Sequence, residues 1–436
     1  MNPLPHALPG TRRDLLRLLP AAGMAAALGP RAATGLPGWG DLVALHAAEL
    51  RRRHKACILL WMQGGPSQFE TFSPLEGHRN GGGTKAIATA VPGMRFAEHW
   101  PEVAGVADRL AVIRSMTSRE GSHPRASYLL HTGYLPNPGV RHPTLGAIVA
   151  SQLARDAGGA TGDLPPVVRI GGRGRNDSGA GILGMQWDPF ELRDPTASPA
   201  NTAPQVDTPR HLRRLALMEK LDAGFARQLP EEAEAHAALY RRATRMITST
   251  DMRAFDLDAE PERVRRAYGT GGFAAGCLLA RRLVEHGVSF VEVVSNGWDT
   301  HQDNFAKVAD LAGQVDRPFA ALVRDLADRG LLDDTLVVWM GEFGRSPQVN
   351  PRGGRDHFPR SFNAVLAGGG VRGGRVIGRT DAAGVEIVDR PVTVPDLFAS
   401  CCRSLGIDAA VENMAPSGRP IRLVDGGAAV AELFAG

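Results

Sequence analysis

Acidic and histidine side chains are concentrated in two short segments within residues 280–362. The first, N-G-W-D-T-H-Q-D-N-F, carries Asp299, His301 and Asp303. In an extended backbone the side chains at positions i and i+2 point to the same side, so Asp299 and His301 could reach one ion. Carboxylate and imidazole suit zinc, iron or manganese, whereas calcium would want more oxygen ligands. The alternative is a helix N-cap, in which Asp299 or Thr300 caps a helix that contains His301.

The second segment, G-G-R-D-H-F-P, places Asp356 beside His357 in a loop flanked by glycine. Both side chains can point inward only if the backbone turns, so the pair is either a ligand or acid/base pair or part of a surface turn. Between the two segments, the apolar residues 336–340 predict a buried strand that leads to Glu342. A carboxylate is costly to bury without a partner, so Glu342 either binds a cation or pairs with an arginine such as Arg345.

A third candidate site is the segment S-H-P-R-A-S, where Ser122 or His123 could cap a helix that starts near Pro124. Free N–H groups and the helix dipole favour negative charge at such a start, which suits a nucleophile or an anion site. The alternative is an ordinary helix cap. Two further candidates lie near the first predicted strand: Gln63 at its end, and Glu70 in the segment that follows.

The predicted helices and strands that must position these residues indicate an α/β domain. Strand–helix–strand repeats of the observed length form right-handed parallel units, and ligand sites in open α/β sheets lie beyond the carboxyl ends of the strands. We therefore expect one α/β domain over residues 50–436, with a helical insertion near residues 207–270. The main predicted strands cover residues 55–63, 109–114, 288–294 and 336–340.

The N-terminal segment, residues 1–34, has the features of a twin-arginine signal peptide. Arg12 and Arg13 precede a stretch rich in alanine, leucine and glycine that is too short to span a bilayer comfortably. The alternative is an amphipathic helix. We expect export by the twin-arginine machinery to the periplasm or the extracellular space, with no transmembrane segment in the mature chain. The net charge of +4 falls to about +1 without this segment, so no nucleic-acid partner is expected.

Several motifs together resemble a known family. They are Q-G-G-P-S-Q-F-E-T-F, H-P-R-A-S-Y-L-L-H-T-G, G-W-D-T-H-Q-D-N-F, L-L-D-D-T-L-V-V-W-M-G-E-F-G-R-S-P and G-R-D-H-F-P, in this order. On these motifs the chain is identified as a member of the domain-of-unknown-function 1501 family, which is related to the alkaline phosphatase and sulfatase superfamily. The resemblance implies an alkaline-phosphatase-like fold with a central mixed, mostly parallel sheet and helices on both faces.

The resemblance also implies an exported metal-dependent hydrolase of phosphate or sulfate esters. Its cofactor would be a divalent metal, with zinc first and manganese, iron or calcium as alternatives. Its substrate would be an anionic small-molecule or polysaccharide ester. Glu342 would bind the metal or act as a base, and Ser122 or His123 would attack or orient the attacking group. The metal ligands implied are Asp299, His301, Asp356 and His357.

The chain departs from the superfamily pattern at two positions. The first strand ends in Gln63, where the superfamily has a metal-binding aspartate, and Glu342 and Phe343 stand in place of an aspartate–histidine pair. These departures indicate an altered metal site. They also support an alternative function, a catalytically inactive exported protein that keeps the fold for binding or assembly.

Overall fold

The computed structural model describes residues 54–159, 162–172, 179–200, 202, 206–226 and 230–434. The predicted signal peptide, residues 1–34, lies outside the described residues. Among the described helices, none is long and apolar enough to cross a membrane.

The helices and strands alternate along much of the chain. The helices are α1 (Pro101–Ala104), α2 (His123–Thr132), α3 (Leu145–Asp156), α4 (Thr208–Ala226), α5 (Pro230–Thr248), α6 (Glu262–Tyr268), α7 (Gly272–Glu285), α8 (Asn304–Asp328) and α9 (Val394–Leu405). The strands are β1 (Ala56–Gln63), β2 (Ala86–Ala88), β3 (Arg95–Ala97), β4 (Leu110–Thr117), β5 (Val167–Ile170), β6 (Phe190–Leu192), β7 (Phe290–Asn296), β8 (Thr335–Met340), β9 (Gly344–Arg345), β10 (His357–Phe358), β11 (Phe362–Ala367), β12 (Arg375–Ile377), β13 (Arg379–Thr380), β14 (Ile387–Asp389), β15 (Val392–Thr393), β16 (Glu412–Met414) and β17 (Pro420–Arg422).

One nine-stranded sheet forms the centre of the fold. Its order is β12-β4-β11-β8-β1-β7-β5-β6, and β15 pairs with β4. Within this sheet β11 runs antiparallel to its two neighbours, while the other described pairings are parallel. The expected mixed, mostly parallel sheet is therefore confirmed.

Both faces of the sheet are buried, which explains why β1 is a continuous apolar run. Ile58 and Leu60 belong to the core on the side of α7 and α8, whereas Cys57 and Leu59 belong to the core on the side of α3 and α9. Alternate side chains of a strand point to opposite faces, so a strand with helices on both sides needs apolar residues at every position. Helices thus cover both faces, as expected.

Two helix starts bear on the candidate site. Helix α8 begins at Asn304, after Asp303 in a left-handed conformation (φ 52°), so His301 lies in the preceding loop and not in the helix. The N-cap interpretation of Asp299 and Thr300 is therefore wrong. Helix α2 begins at His123, and its N-cap residue Ser122 makes no side-chain capping hydrogen bond.

The order of the sheet brings three loops to one edge. β1 lies between β7 and β8 and is parallel to both, so the segments that follow these strands leave the sheet at the same end. Open α/β sheets bind ligands beyond the carboxyl ends of their strands, which is the end of the sheet where these segments lie. The three segments begin at residues 64, 297 and 341.

Candidate metal centre

The loop after β1 passes very close to the loop after β7. Gly64 has φ 118°, and a Cβ atom there would lie 2.3 Å from the backbone nitrogen of Asp299. The backbone N–H of Trp298 donates to the carbonyl oxygen of Gln63 over 3.1 Å. Only glycine permits this approach without strain, so the Q-G-G sequence fixes the position of Asp299.

Backbone hydrogen bonds join the two acid/histidine segments into one unit. The N–H of Asn304 donates to Gly353 O over 2.9 Å, and the N–H of Arg355 donates to Thr300 O over 3.1 Å. Strands β9 and β10 then pair His357 with Arg345. Residues more than 50 positions apart in the sequence are thereby held in one site.

Three imidazole rings surround a single carboxylate oxygen, Oδ1 of Asp299. The Nε2 atoms of His123 and His357 each lie 3.3 Å from it, and Nε2 of His301 lies 3.2 Å from it. Nε2 of His301 also lies 3.0 Å from Nε2 of His357. We call these four residues the His/Asp cluster. The sequence segments predicted two of its histidines as metal ligands and the third, His123, as a catalytic residue.

The opposite nitrogen of each ring faces an oxygen acceptor. Nδ1 of His123 lies 2.6 Å from Glu342 Oε1, and Nδ1 of His301 lies 3.0 Å from Asp356 Oδ1. Nδ1 of His357 lies 2.7 Å from the carbonyl oxygen of Gly121, which can only accept. In the neutral rings the proton therefore sits on Nδ1, and the Nε2 lone pairs are directed into the cluster.

The charges in the site shift several pKa values. Burial alone would raise the pKa of Asp299, but the hydrogen bond and charge of Arg345, with His123 and His301, lower it to about 2. Burial opposes protonation of His123, yet Glu342 and Asp299 outweigh it and raise its pKa. Burial lowers the pKa of His357. At neutral pH Asp299 is thus charged, and His357 is neutral.

The site has a buried floor and an open mouth. The side chains of Glu342 and Arg345 are 1% and 0% exposed, whereas those of Asp299 and His301 are 45% and 35% exposed. Glu342 also accepts the backbone N–H of Gly64 at 3.0 Å and 3.1 Å. A small molecule can therefore approach from solvent toward ligands that are fixed from below.

The donor set fits a divalent metal ion. Nε2 of His123 is buried without a hydrogen-bond partner, and the candidate ligand atoms of His123, Asp299 and His357 all lie within 4.8 Å of one another. Nε2 of His301 and Nε2 of His357 lie 3.0 Å apart, a contact that either a bound cation or a proton on one ring would satisfy. Zinc–nitrogen bonds of 2.0–2.1 Å in a tetrahedron place neighbouring ligands about 3.3 Å apart, close to the 3.2–3.3 Å between each Nε2 atom and Asp299 Oδ1. Imidazoles oriented by carboxylates and a carbonyl are typical of metal sites.

Four other predicted residues lie outside the cluster or at its border. Glu70 is buried and forms an ion pair with Arg355 at 2.7 Å, so its charge is already matched. Asp303 is exposed at the start of α8. Gln63 ends β1, and its Oε1 atom is buried without a hydrogen-bond partner. Ser122 is exposed between Gly121 and His123, both of which contact the cluster.

Two features of the site did not follow from the sequence. The sequence suggests Arg345 as a partner of Glu342, but its guanidinium contacts Asp299 Oδ1 at 2.5 Å. Phe343 is fully buried, and its ring lies 4.8 Å from that of His123 and 4.5 Å from that of His357, measured between centroids. The sequence motif G-E-F-G-R carries both residues, yet which side chain meets which depends on the loop conformation.

Comparison with known proteins places the chain in a family. The model of the family described as "Protein of unknown function (DUF1501)" matches residues 54–434. No curated protein matches the chain. Among solved structures, the chain is similar to a sulfatase from Pseudoalteromonas sp., with 14% identity, 85% of this chain and 72% of that chain covered, and a TM-score of 0.37.

Two other solved structures are similar at the same level. The phosphonate monoester hydrolase of Agrobacterium radiobacter shows 15% identity to this chain; the alignment covers 87% of this chain and 77% of the hydrolase chain, with a TM-score of 0.33. A lipoteichoic acid synthase from Listeria monocytogenes shows 9% identity, with 82% and 73% covered and a TM-score of 0.39. Likeness at this level does not show what this chain binds or catalyses. The family model, in contrast, spans nearly all of the described residues, and the chain belongs to the DUF1501 family of proteins of unknown function.

Proposed function

We propose that the chain is a metal-dependent hydrolase of phosphate or sulfate esters. The observation that carries this proposal is the His/Asp cluster, in which three Nε2 atoms lie 3.2–3.3 Å from Asp299 Oδ1. Each ring is fixed through Nδ1, so the three Nε2 atoms are oriented to bind a cation. The mouth of the site is open to solvent, as a hydrolase needs.

The donor set favours zinc. Three imidazole nitrogens and one carboxylate oxygen are ligands that zinc takes in tetrahedral sites. Manganese and iron accept the same donors, whereas calcium is disfavoured because a single carboxylate oxygen supplies too few oxygen ligands. When bound, the ion would supply a Lewis acid that polarises an ester oxygen.

The protein's own residues would orient the ligands and the attacking group. Glu342 holds His123 in one orientation through the 2.6 Å contact with Nδ1. Asp356 and the Gly121 carbonyl do the same for His301 and His357. The exposed Ser122 precedes the first turn of α2, which contains no acidic residue. Its hydroxyl is the candidate nucleophile, because free N–H groups at a helix start stabilise developing negative charge.

A cavity at the same end of the sheet as the His/Asp cluster supports an anionic ester, small or polymeric, as the substrate. It measures about 710 Å³ and opens at the carboxyl ends of β5 and β7, where Asn296 lines it three residues before Asp299. Arg193 and Gln314 also line it, and no acidic side chain does so among the described residues. One arginine and two amide side chains, in a lining without acidic groups, suit an anionic substrate.

Export by the twin-arginine route is part of the proposal. Its support is the pair Arg12–Arg13 followed by an apolar stretch. Replacing both arginines with lysine should leave the protein in the cytoplasm, and cell fractionation measures this. Export of the double variant at the wild-type level would contradict the route.

The experiment that tests the hydrolase is turnover of chromogenic esters by protein reloaded with zinc. We expect release of p-nitrophenol from p-nitrophenyl phosphate, bis(p-nitrophenyl) phosphate or p-nitrophenyl sulfate. His357→Ala should lower the rate at least a hundredfold, because it removes a ligand. Ser122→Ala should lower the rate and leave zinc binding unchanged. A zinc-loaded, folded protein that turns over none of the three esters would argue against the proposal.

The second candidate is a binding or assembly protein without turnover. It is favoured by Gln63, whose Oε1 is buried without a partner, and by the buried Phe343, which stand where the resemblance expects metal-site residues. A protein of this kind would bind metal and retain an anionic ester without releasing product. Equilibrium binding of p-nitrophenyl sulfate without hydrolysis would support this candidate over the hydrolase.

A further inference from the structure

The guanidinium of Arg345 is built into the floor of the His/Asp cluster. It is fully buried and donates from Nη2 to Asp299 Oδ1 over 2.5 Å. Nε donates to the carbonyl of Gly65 over 2.8 Å, and Nη1 donates to the carbonyl of Arg355 over 3.1 Å. Nη2 also donates to the carbonyl of Gly64. These contacts hold the positively charged guanidinium of Arg345 beside the carboxylate of Asp299. It therefore stays in place when a metal ion binds.

The charge of the site is balanced by one divalent ion. Three carboxylates contact the cluster or its rings, those of Asp299, Glu342 and Asp356, and Arg345 supplies one positive charge. The net charge of these four groups is −2, which one divalent cation neutralises. A second divalent ion would leave a charge of +2 in a partly buried site, and such a charge is costly to desolvate.

The carboxylates near the cluster also have their own partners. Glu342 accepts from His123 and from the Gly64 N–H, and Glu70 is paired with the buried guanidinium of Arg355. A second ion would need oxygen ligands, and the buried carboxylates of Glu342 and Glu70 are already engaged with these partners. The buried side of the site therefore favours the same stoichiometry as the charge balance.

We propose that Arg345 acts as a permanent second cation of the centre, so that the site takes one divalent ion and not two. This inference rests on the proposed metal centre and defines its stoichiometry. Removing the charge of Arg345 would leave the site with a net charge of −3, so that a second ion, or a tighter first one, becomes favourable.

The test is the number of ions bound by chelator-stripped protein. Wild type should take up one equivalent of Co²⁺ by calorimetry and elemental analysis. With a tenfold excess of Mn²⁺, the protein-bound ions should give the spectrum of isolated ions in electron paramagnetic resonance. Arg345→Gln should bind a second equivalent, or the first about tenfold more tightly, while Arg345→Lys should keep one. Arg324→Gln removes a guanidinium that is 44% exposed and paired with Glu102, and it serves as the matched control with wild-type binding.

The outcomes separate this inference from the proposed function. Two equivalents in wild type, or a spectrum of coupled Mn²⁺ pairs, would overturn the role of Arg345 and leave the metal centre standing. A folded Arg345→Gln protein with one equivalent at wild-type affinity would do the same. No ion in wild type would overturn both. Should Arg345→Gln not fold, the wild-type stoichiometry and spectrum still decide between one ion and two.

Discussion

Glu342→Gln is expected to weaken metal binding while the fold is kept. Glu342 lies in the floor of the site, where Oε1 is 2.6 Å from Nδ1 of His123 and 3.0 Å from the backbone nitrogen of Gly64. Glutamine has the same shape but no charge, and its amide can accept through one oxygen only. With its oxygen at the Oε1 position, the amide still accepts from His123 and from Gly64, but its NH₂ group replaces Oε2, the second acceptor of the Gly64 N–H at 3.1 Å.

The expected size follows from the role of a carboxylate that orients a metal-binding imidazole. Removing such a partner costs about 10- to 100-fold in metal affinity. This corresponds to about 1.4–2.8 kcal/mol at 25 °C. The NH₂ group at the Oε2 position faces the N–H of Gly64, and this donor–donor contact adds about 1–3 kcal/mol to the loss of folding stability. Without the charge of Glu342, the raised pKa of His123 should also move down toward its usual range.

The assay is calorimetric titration of Zn²⁺ into chelator-stripped protein, with chemical unfolding measured in parallel. Glu102→Gln is the matched control, because Glu102 is 47% exposed and forms a surface ion pair with Arg324. Wild-type zinc affinity in a folded Glu342→Gln protein, within twofold, would refute the reasoning that Glu342 acts through His123.

Three further outcomes are expected. Metal affinity should fall as the pH falls through the raised pKa of His123, because a proton and the ion compete for this ring. Calorimetry in buffers of different ionisation enthalpy would then show that metal binding releases a proton near neutral pH. If no proton is released, the coupling is contradicted. Glu70→Gln should destabilise the fold by about 3–5 kcal/mol, since it leaves the Arg355 guanidinium buried without its charged partner. Zinc affinity should stay within about threefold of wild type. A hundredfold loss of zinc affinity would make Glu70 part of the site. Burial raises the pKa of Asp316 to about 6, against the backbone N–H groups of Val103 and Glu102 that it accepts. Its protonated form is favoured in the fold, so the stability that it contributes below about pH 4 should be lost as the pH rises through about 6, by up to about 3 kcal/mol. Unfolding of Asp316→Asn should lack this loss, and identical pH profiles of the two proteins would contradict it.

The strands could be predicted because their residues are buried on both faces. The apolar run at residues 55–63 predicted β1 (Ala56–Gln63), and the run at residues 336–340 predicted β8 (Thr335–Met340). A run buried on both sides does not encode its direction, however, so the antiparallel placement of β11 between β4 and β8 could not be derived from periodicity. The mixed sheet was an implication of the family resemblance.

The composition of the site was easier to predict than its pairings. Asp299, His301, Asp356 and His357 were predicted as metal ligands, and the structure brings Asp299, His301 and His357 together, whereas Asp356 contacts Nδ1 of His301 from outside the His/Asp cluster. The pairing of Glu70 with Arg355 joins residues 285 positions apart, and no local pattern reports such a contact. The ion pair of Arg345 with Asp299 likewise depends on the turn at Gly64, where φ is 118°. The partners of these charged side chains depend on the conformation of the folded loops, and the sequence pattern does not report that conformation.

Metal analysis of protein purified without chelators decides whether the His/Asp cluster is a metal centre. Wild type should carry close to one equivalent of a divalent ion, and the double variant Asp299→Ala/His301→Ala, checked for its fold by circular dichroism, should carry none. A well-folded wild-type protein that neither retains an ion nor binds added zinc would contradict the metal centre and with it the proposed hydrolase.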